Sequence, residues 1–172
     1  REKFDRLFER ITGTLIEQID TLARIANEFH SFARMPTRVL EHLDLNAVVG
    51  EAVALMQEES EVEVACDLHP DPLVVEADRE ELRRNYINLI KNGIQAIPEE
   101  REGRIVVTTT FEEMDGARAA FSTVADNGTG VADELREKIF EPNFSTKTSG
   151  TGLGLAIVRK SVEELHGDIG FE

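Results

Sequence analysis

Asn88-Leu-Ile-Lys-Asn92, Asp126-Asn-Gly-Thr-Gly130 and Gly150-Thr-Gly-Leu-Gly-Leu155 stand in that order along a chain of 172 residues. The first can offer side-chain amide oxygens to a hard cation, and the second sets a carboxylate beside bare backbone. The third opens a helix whose N-terminal amides a polyphosphate can approach closely. Together the three boxes describe a pocket for a magnesium nucleotide.

The elements around the boxes follow from periodicity and punctuation. Phe4, Phe8, Ile11, Leu15, Ile19, Leu22, Ala26, Phe29 and Ala33 recur at steps of three and four with charges between them, which predicts one long amphipathic helix. Its near-heptad seam asks for partner helices from a bundle or coiled coil. Met35-Pro36 ends it, and residues 37–43 read as a linker. Asp44 is placed to cap a helix from Asn46 to Glu59, and Val62 to Leu68 alternates as a half-buried strand does. After the Pro70-Asp-Pro72 turn comes a short strand, Leu73 to Ala77. Asp78-Arg-Glu-Glu81 then resembles a capping box and opens a helix that Pro98 stops. The Asn box lies on that helix.

Arg104 to Phe111 and Arg118 to Asp126 form a β-hairpin around Met114-Asp-Gly116, so the first glycine box leaves the end of a strand. A helix from Asp133 to Phe140, a polar loop to Thr151 and a helix from Gly152 to His166, ended by Gly167, are expected next. Asp168 to Glu172 reads as the start of another strand that the chain end cuts.

Composition narrows the function classes. Nineteen basic against thirty-four acidic residues give a net charge of -15, which repels phosphate backbones and anionic lipid, so neither nucleic acid nor a membrane surface is an expected partner. No stretch approaches the ~18–20 apolar residues of a membrane span. The single cysteine, Cys66, sits in an alternating strand run and is expected to be a buried structural thiol. One cysteine permits no internal disulfide, which fits a reducing, cytoplasmic compartment.

On a helix, residues four apart share a face, so Asn88 and Asn92 look the same way, with Asn85 and Gln95 near that stripe. Mg²⁺ commonly takes one or two protein oxygens and the rest from phosphate and water, which suits an Asn carbonyl. Taken alone, the pair reads first as solvating the surface of an amphipathic helix, where Asn is common. Asp126 can accept a hydrogen bond from an exocyclic amine such as that of adenine; alone, it equally opens an ordinary Asp-Asn-Gly turn. The box at 150–155 lacks the strand and βαβ unit of a dinucleotide fingerprint, and no Gly-Lys-Ser/Thr sequence makes a P-loop. Lys147, just upstream, is a cation that can fold over the same phosphates.

The order of boxes resembles the ATP-binding domain of two-component sensor histidine kinases, within the superfamily of gyrase and mismatch-repair ATPases. Asn88 to Ala96 looks like the family's N box, Asp126 to Gly130 its first glycine box, Phe140-Glu-Pro-Asn-Phe144 its F box, and Gly150 to Leu155 its second glycine box. Glu28 to Pro36 and Asp44-Leu-Asn-Ala47 look most like the nitrogen-regulation branch, where that segment ends the second helix of the dimerisation bundle.

The resemblance implies an α+β fold: a two-layer α/β sandwich of Bergerat type with a mixed sheet. Residues 1–36 are then the second bundle helix, 37–43 a linker, and 44–172 the ATP-binding catalytic domain. By carry-over, Asn92 is the magnesium ligand, Asn88 a supporting polar residue toward the phosphates, and Asp126 the adenine-specifying carboxylate. Gly128 and Gly130 make room for the ring. Gly150, Thr151, Gly152, Leu153 and Gly154 form the lid hinge and phosphate side. ATP and Mg²⁺ are the implied cofactors. A response-regulator receiver domain and a second copy, joined through the bundle helices, are the implied partners.

There are departures. The phosphoacceptor box, of His-Glu-x-x-x-Asn-Pro type, does not occur in the sequence, and His30, His42, His69 and His166 are assigned no catalysis. Gln95 stands where the family often has a basic residue, leaving phosphate neutralisation to Lys147, Lys91 or the metal. The chain is therefore expected to bind nucleotide without phosphorylating itself. The competing readings are an anti-sigma-type serine kinase, a topoisomerase-like ATPase, and a non-catalytic nucleotide-sensing dimerisation module. The long helix argues against the first, and the acidic charge argues against the second.

Overall fold

The computed structural model describes residues 2–33, 38–114, 117–136, 138–142, 144–145 and 152–171. The first helix, α1, runs from Glu2 to Ala33 as its periodicity predicts. Along it Leu7, Phe8, Ile11, Leu15, Ile16, Ile19 and Leu22 are exposed. No helix of the described residues is long and apolar enough to cross a membrane.

The rest is an α+β arrangement of helices on a mixed sheet. β1 (Glu41–Asp44) pairs antiparallel with β3 (Val74–Ala77). In the second sheet β2 (Glu63–Asp67) runs parallel to β4 (Arg104–Met114), which pairs antiparallel with β5 (Ala117–Asp126). Residues 37–43, expected as a linker, thus contain most of β1. Three residues of β1 precede Asp44 in a stretch of mixed charge, and pairing with β3, not hydrophobic alternation, makes it a strand.

The helices α2 (Leu45–Glu59) and α3 (Arg79–Ala96) form the second layer. Leu45, Val48, Val49, Ala52, Val53 and Met56 fall on one stripe of α2 and are all buried. They pack with Val64, Leu73, Tyr86, Ile90, Ile105 and Val107 into one core. Fully burying one such aliphatic side chain contributes roughly 1.5–3 kcal/mol. Burial also raises the ionisation range of the Tyr86 hydroxyl.

Both helices start on aspartates. The Asp44 carboxylate accepts from Asn46 N–H at 3.1 Å and from Leu73 N–H at 3.0 Å, tying α2 to the approach of β3. Asp78 accepts from Glu81 N–H at 2.9 Å and from Val39 N–H at 3.0 Å. Glu81 does not complete the capping box expected of it. Its carboxylate, nearly buried, instead takes the Arg38 guanidinium at 2.5 Å, and Arg38 also meets Glu164 at 2.7 Å. The Glu81 hydrogen bond, chiefly, holds Arg38 charged beyond its ordinary range.

Several expectations are corrected. The helix expected from Asp133 to Phe140 is a single 3-10 turn, Asp133–Leu135, with Arg136 paired to Asp133 at 3.0 Å. It buries none of its residues, and a helix of that length without a buried face does not offset its nucleation cost. The last helix, α4, runs Gly154–Glu164 instead of starting at Gly152. It ends in a Schellman motif: His166 N–H donates to the Glu163 carbonyl at 3.0 Å and Gly167 N–H to that of Val162 at 2.9 Å. The left-handed residue is His166, at φ 59°, not Gly167. Gly167 is needed for a different reason, since a Cβ there would lie 3.0 Å from Val162 Cγ1. Residues 168–171 form no strand. Cys66, expected to be buried, is exposed.

Asp78 supplies a pH test of the α3 start. Backbone hydrogen bonds from Val39 and then Glu81 hold its carboxyl below the ordinary value of 3.8. The folded value is depressed, so its contribution is present above that pH and is lost as pH falls through the lower folded value. Asp78→Asn keeps a capping acceptor but loses the charge, and is expected to cost about 0.5 kcal/mol in urea unfolding at pH 7, the scale of a carboxylate at a helix N-terminus. The difference from wild type should shrink to near zero in strong acid; a pH-independent difference would contradict the assignment.

Candidate functional site

The site is assembled around the C-terminal half of α3. One side of this helix turns Tyr86, Ile90 and Gly93 into the core, and that fixes where its polar residues can go. Asn88 and Asn92 are half-buried at its flank. Lys91, between them, is exposed.

Gly93 is where α3 comes down on the hairpin. A Cβ at that position would lie 3.1 Å from Ile105 Cδ1, 3.2 Å from Asp126 Cβ and 3.4 Å from Asp126 Oδ2. The register of β4 and β5 sets Asp126 opposite Ile105, which is fully buried, so the carboxylate leaves the strand on the face that α3 covers. Asp126 Oδ1 then accepts from Gly128 N–H at 2.8 Å. That bond closes a turn of the Asx type and leaves Oδ2 toward the α3 side.

The glycines of this box are needed in two different ways. A Cβ on Gly128 would fall 2.6 Å from Asp126 Oδ1 and 2.7 Å from the Ala96 carbonyl oxygen. Gly130 has φ +70°, in the left-handed region, with open space beside it. Between them Thr129 N–H donates to the Ala96 carbonyl at 3.0 Å, pinning the loop to the end of α3.

The third box reaches the same helix. A Cβ on Gly154, the first residue of α4, would lie 4.0 Å from Asn92 Nδ2. The start of α4 therefore faces the Asn92 carboxamide. Gly152 has φ +68°, and Leu153 is buried. Leu153, at the N-cap of α4, makes no side-chain cap hydrogen bond, and among the described residues no side chain caps this helix start, where backbone N–H groups suit an anion. Behind the site, Asn85 Nδ2 donates to Ser161 Oγ at 2.7 Å, joining α3 to α4 through two buried polar side chains. The first aromatic residue of the F box, Phe140, is seated beneath the Arg159 guanidinium, 5.9 Å from its ring centre.

The structure thus brings together Asn92, Asp126, Gly128 and Gly154, with Asn88 one turn before Asn92 on α3. Lys147, Gly150 and Thr151 lie outside the described residues. Asn85, placed near the amide stripe by spacing, is committed to Ser161 instead. Gly93 is a residue that sequence reasoning passed over. A glycine in a helix interior costs about 1 kcal/mol relative to Ala, and that unexplained cost was the available signal.

A helix carrying paired amides, laid over a mixed sheet whose edge supplies a carboxylate and a glycine loop, defines an α+β nucleotide-binding domain. Residues 77–172 match the family model described as histidine kinase-, DNA gyrase B-, and HSP90-like ATPase, and the chain belongs to that family. It is 36% identical over 169 residues to the nitrogen regulation protein NtrY of Azorhizobium caulinodans, across 95% of this chain and 21% of that protein. Among solved structures it is similar to the catalytic domain of the histidine kinase ThkA in a nucleotide-free form, with 35% identity and a TM-score of 0.62. That match covers 73% of this chain and 81% of that domain. It is also similar to ThkA in complex with the response regulator TrrA, with 30% identity and a TM-score of 0.67, over 90% of this chain and 43% of that one. The chain spans about a fifth of the length of the NtrY relative.

Gly93→Val tests the close approach. Its methyls would press on Ile105 and Asp126, and overpacking of this kind costs roughly 1–3 kcal/mol. Urea unfolding should show that loss together with weakened nucleotide binding. Wild-type stability in the variant would mean that the helix and hairpin are not in contact there.

Proposed function

We propose that this chain is the ATP-binding catalytic part of a sensor histidine kinase, in which the boxes on α3, β5 and α4 form one MgATP site. The observation that carries the reading is that two successive residues of α3 meet the other boxes, Asn92 facing the start of α4 and Gly93 lying against Asp126. In the complete protein the γ-phosphoryl group of ATP passes to a histidine nitrogen. The new P–N bond forms as the bond to the leaving ADP oxygen breaks. The phosphoryl group then moves to a response-regulator aspartate. Such transfer depends on positioning and charge stabilisation more than on covalent chemistry by the protein.

The residues fit these roles. The Oδ2 atom of Asp126 is available for the adenine amine once Oδ1 is held by Gly128, and Gly128 and Gly130 leave the ring its space. The Asn92 carbonyl serves as the protein ligand of Mg²⁺, and Asn88 supports it toward the phosphates. Among the described residues no group of three or more His, Cys, Asp or Glu is placed to hold a metal. The cation then takes its other ligands from phosphate and water, as Mg²⁺ commonly does. Gly152, Leu153 and Gly154, with Gly150, Thr151 and Lys147 before them, take the phosphate side. The exposed apolar seam of α1 joins a second copy of the intact protein in a helical bundle, and the domain works in the cytoplasm.

The environment of Glu81 favours a kinase over a topoisomerase-like ATPase. A water-activating carboxylate has to stand by the phosphates, whereas Glu81 is held by Arg38 at the opposite end of α3 from Asn92. The two stand eleven positions apart along the helix, a rise of about 16 Å.

Calorimetric titration with nucleotides tests the site. Asp126→Asn replaces the acceptor for the adenine amine with a mixed donor and acceptor, so the preference for ATP over GTP should fall by at least about tenfold while the fold is kept. Asn92→Ala should reduce the gain in affinity that Mg²⁺ gives wild type by roughly tenfold, the scale of one charge-assisted contact. An unchanged ATP preference would remove Asp126 from its role, and an unchanged Mg²⁺ effect would place the metal ligand elsewhere.

A further inference from the structure

The first glycine box is fastened to the α3–β4 connection, residues 97–103, by side chains that its own turn does not require. Asp126 Oδ1 and Gly128 N–H already close the turn. Beyond that, Asn127 engages the connection and the first residue of β4 at three points. Its backbone N–H donates to the Arg104 carbonyl at 3.2 Å. Its Oδ1 accepts from Arg104 N–H at 2.9 Å, and its Nδ2 donates to the Glu102 carbonyl at 2.9 Å. The carboxamide therefore pairs with the backbone of residues 102–104 as a neighbouring strand would. Arg101 reaches back from the same connection: its Nη1 donates to the Gly128 carbonyl at 2.9 Å and to that of Asn127.

We propose that Asn127, seconded by Arg101, is a positioning residue for nucleotide selection: its carboxamide braces the glycine box against residues 102–104 and thereby fixes the direction of the Asp126 carboxylate. The inference rests on Asp126 facing the adenine amine. The chemistry of the brace is specific. At this length only a carboxamide offers both an acceptor for Arg104 N–H and a donor for the Glu102 carbonyl. An aspartate would keep the first bond and set its second oxygen against that carbonyl, leaving lone pair opposed to lone pair. The loop would then rotate about the Asp126 end of β5, and Oδ2 would lose its fixed direction over Gly93. A hydrogen bond to a wandering acceptor discriminates poorly between an amine and a carbonyl.

The test compares ATP and GTP affinities, by calorimetry with Mg²⁺, for wild type, Asn127→Asp, Asn127→Ala, Arg101→Ala, Arg101→Lys and Asp126→Asn, with a thermal melt of each. The ATP-to-GTP ratio should fall by about tenfold in both Asn127 variants, the equivalent of one lost net hydrogen bond. It should fall by a few-fold in Arg101→Ala and return toward wild type in Arg101→Lys, which keeps a cationic donor. A purely structural brace would lower melting temperature and both affinities together and leave the ratio alone; that result overturns the proposal. If the Asn127 variants fail to fold, Arg101→Ala decides, because it leaves both carboxamide bonds of Asn127 in place: a reduced ratio supports the brace and an unchanged one overturns it. If Asp126→Asn loses discrimination while the Asn127 and Arg101 variants keep it, the brace fails and the adenine reading stands. If Asp126→Asn itself keeps discrimination, both fall.

Discussion

The close approach of α3 to the hairpin at Gly93 is the constraint on which the site depends. Ile105 and Asp126 face each other across β4 and β5, and a side chain larger than hydrogen at position 93 would meet both. Because the helix sits that low, Ile90 and Tyr86 reach the core beside Ile105 and Val107, and Asn92, adjoining Gly93 in sequence, is left half-buried at the flank. The same contact therefore buries the apolar side of α3 and brings two polar boxes, 34 positions apart in sequence, to one place. Packing and site geometry are one arrangement here.

Around that contact α3 is held at both ends. At its start, Asp78 caps the first turn and receives Val39 N–H, while Glu81 and Glu164 share Arg38. Arg38 lies between α1 and β1, so the segment that follows the long helix is fixed by charge to the helix of the Asn box and to the end of α4. Removing the cation would leave the nearly buried Glu81 carboxylate without this partner, which is the costly way to break such a pair. Midway, the buried Asn85 and Ser161 side chains join α3 to α4. At its end, the Ala96 carbonyl takes Thr129 N–H. A nucleotide site needs its donors and acceptors set before the ligand arrives, and these contacts set them.

The sequence was most legible where period and chemistry agreed. The stripe on α2, the seam of α1 and the caps Asp44 and Asp78 follow from spacing and residue type, and each recurs in the structure. The boxes were legible through their order, since the amide pair and the Asp-Asn-Gly turn each have an ordinary local reading when taken alone. What was not legible depends on tertiary pairing. β1 exists through its pairing with β3, and its own four residues carry no alternation to announce it. Glu81 at the fourth position of Asp-x-x-Glu pointed to a capping box, yet an arginine 43 residues upstream takes its carboxylate. Cys66 follows the strand alternation that predicted burial, but the residue is exposed. Gly167 was expected to end the last helix, and it does so one place after the left-handed residue, His166, in a position close to Val162.

The central claim is that one face of α3, the Asp126 loop and the start of α4 together enclose a single nucleotide. The structure of this chain with Mg²⁺ and a non-hydrolysable ATP analogue tests it most directly. The account predicts the adenine amine against Asp126 Oδ2 beside Gly93, the metal on the Asn92 carboxamide oxygen, and the phosphates toward Gly152 to Gly154. A base seated away from Asp126, or a metal with no contact to α3, would contradict it.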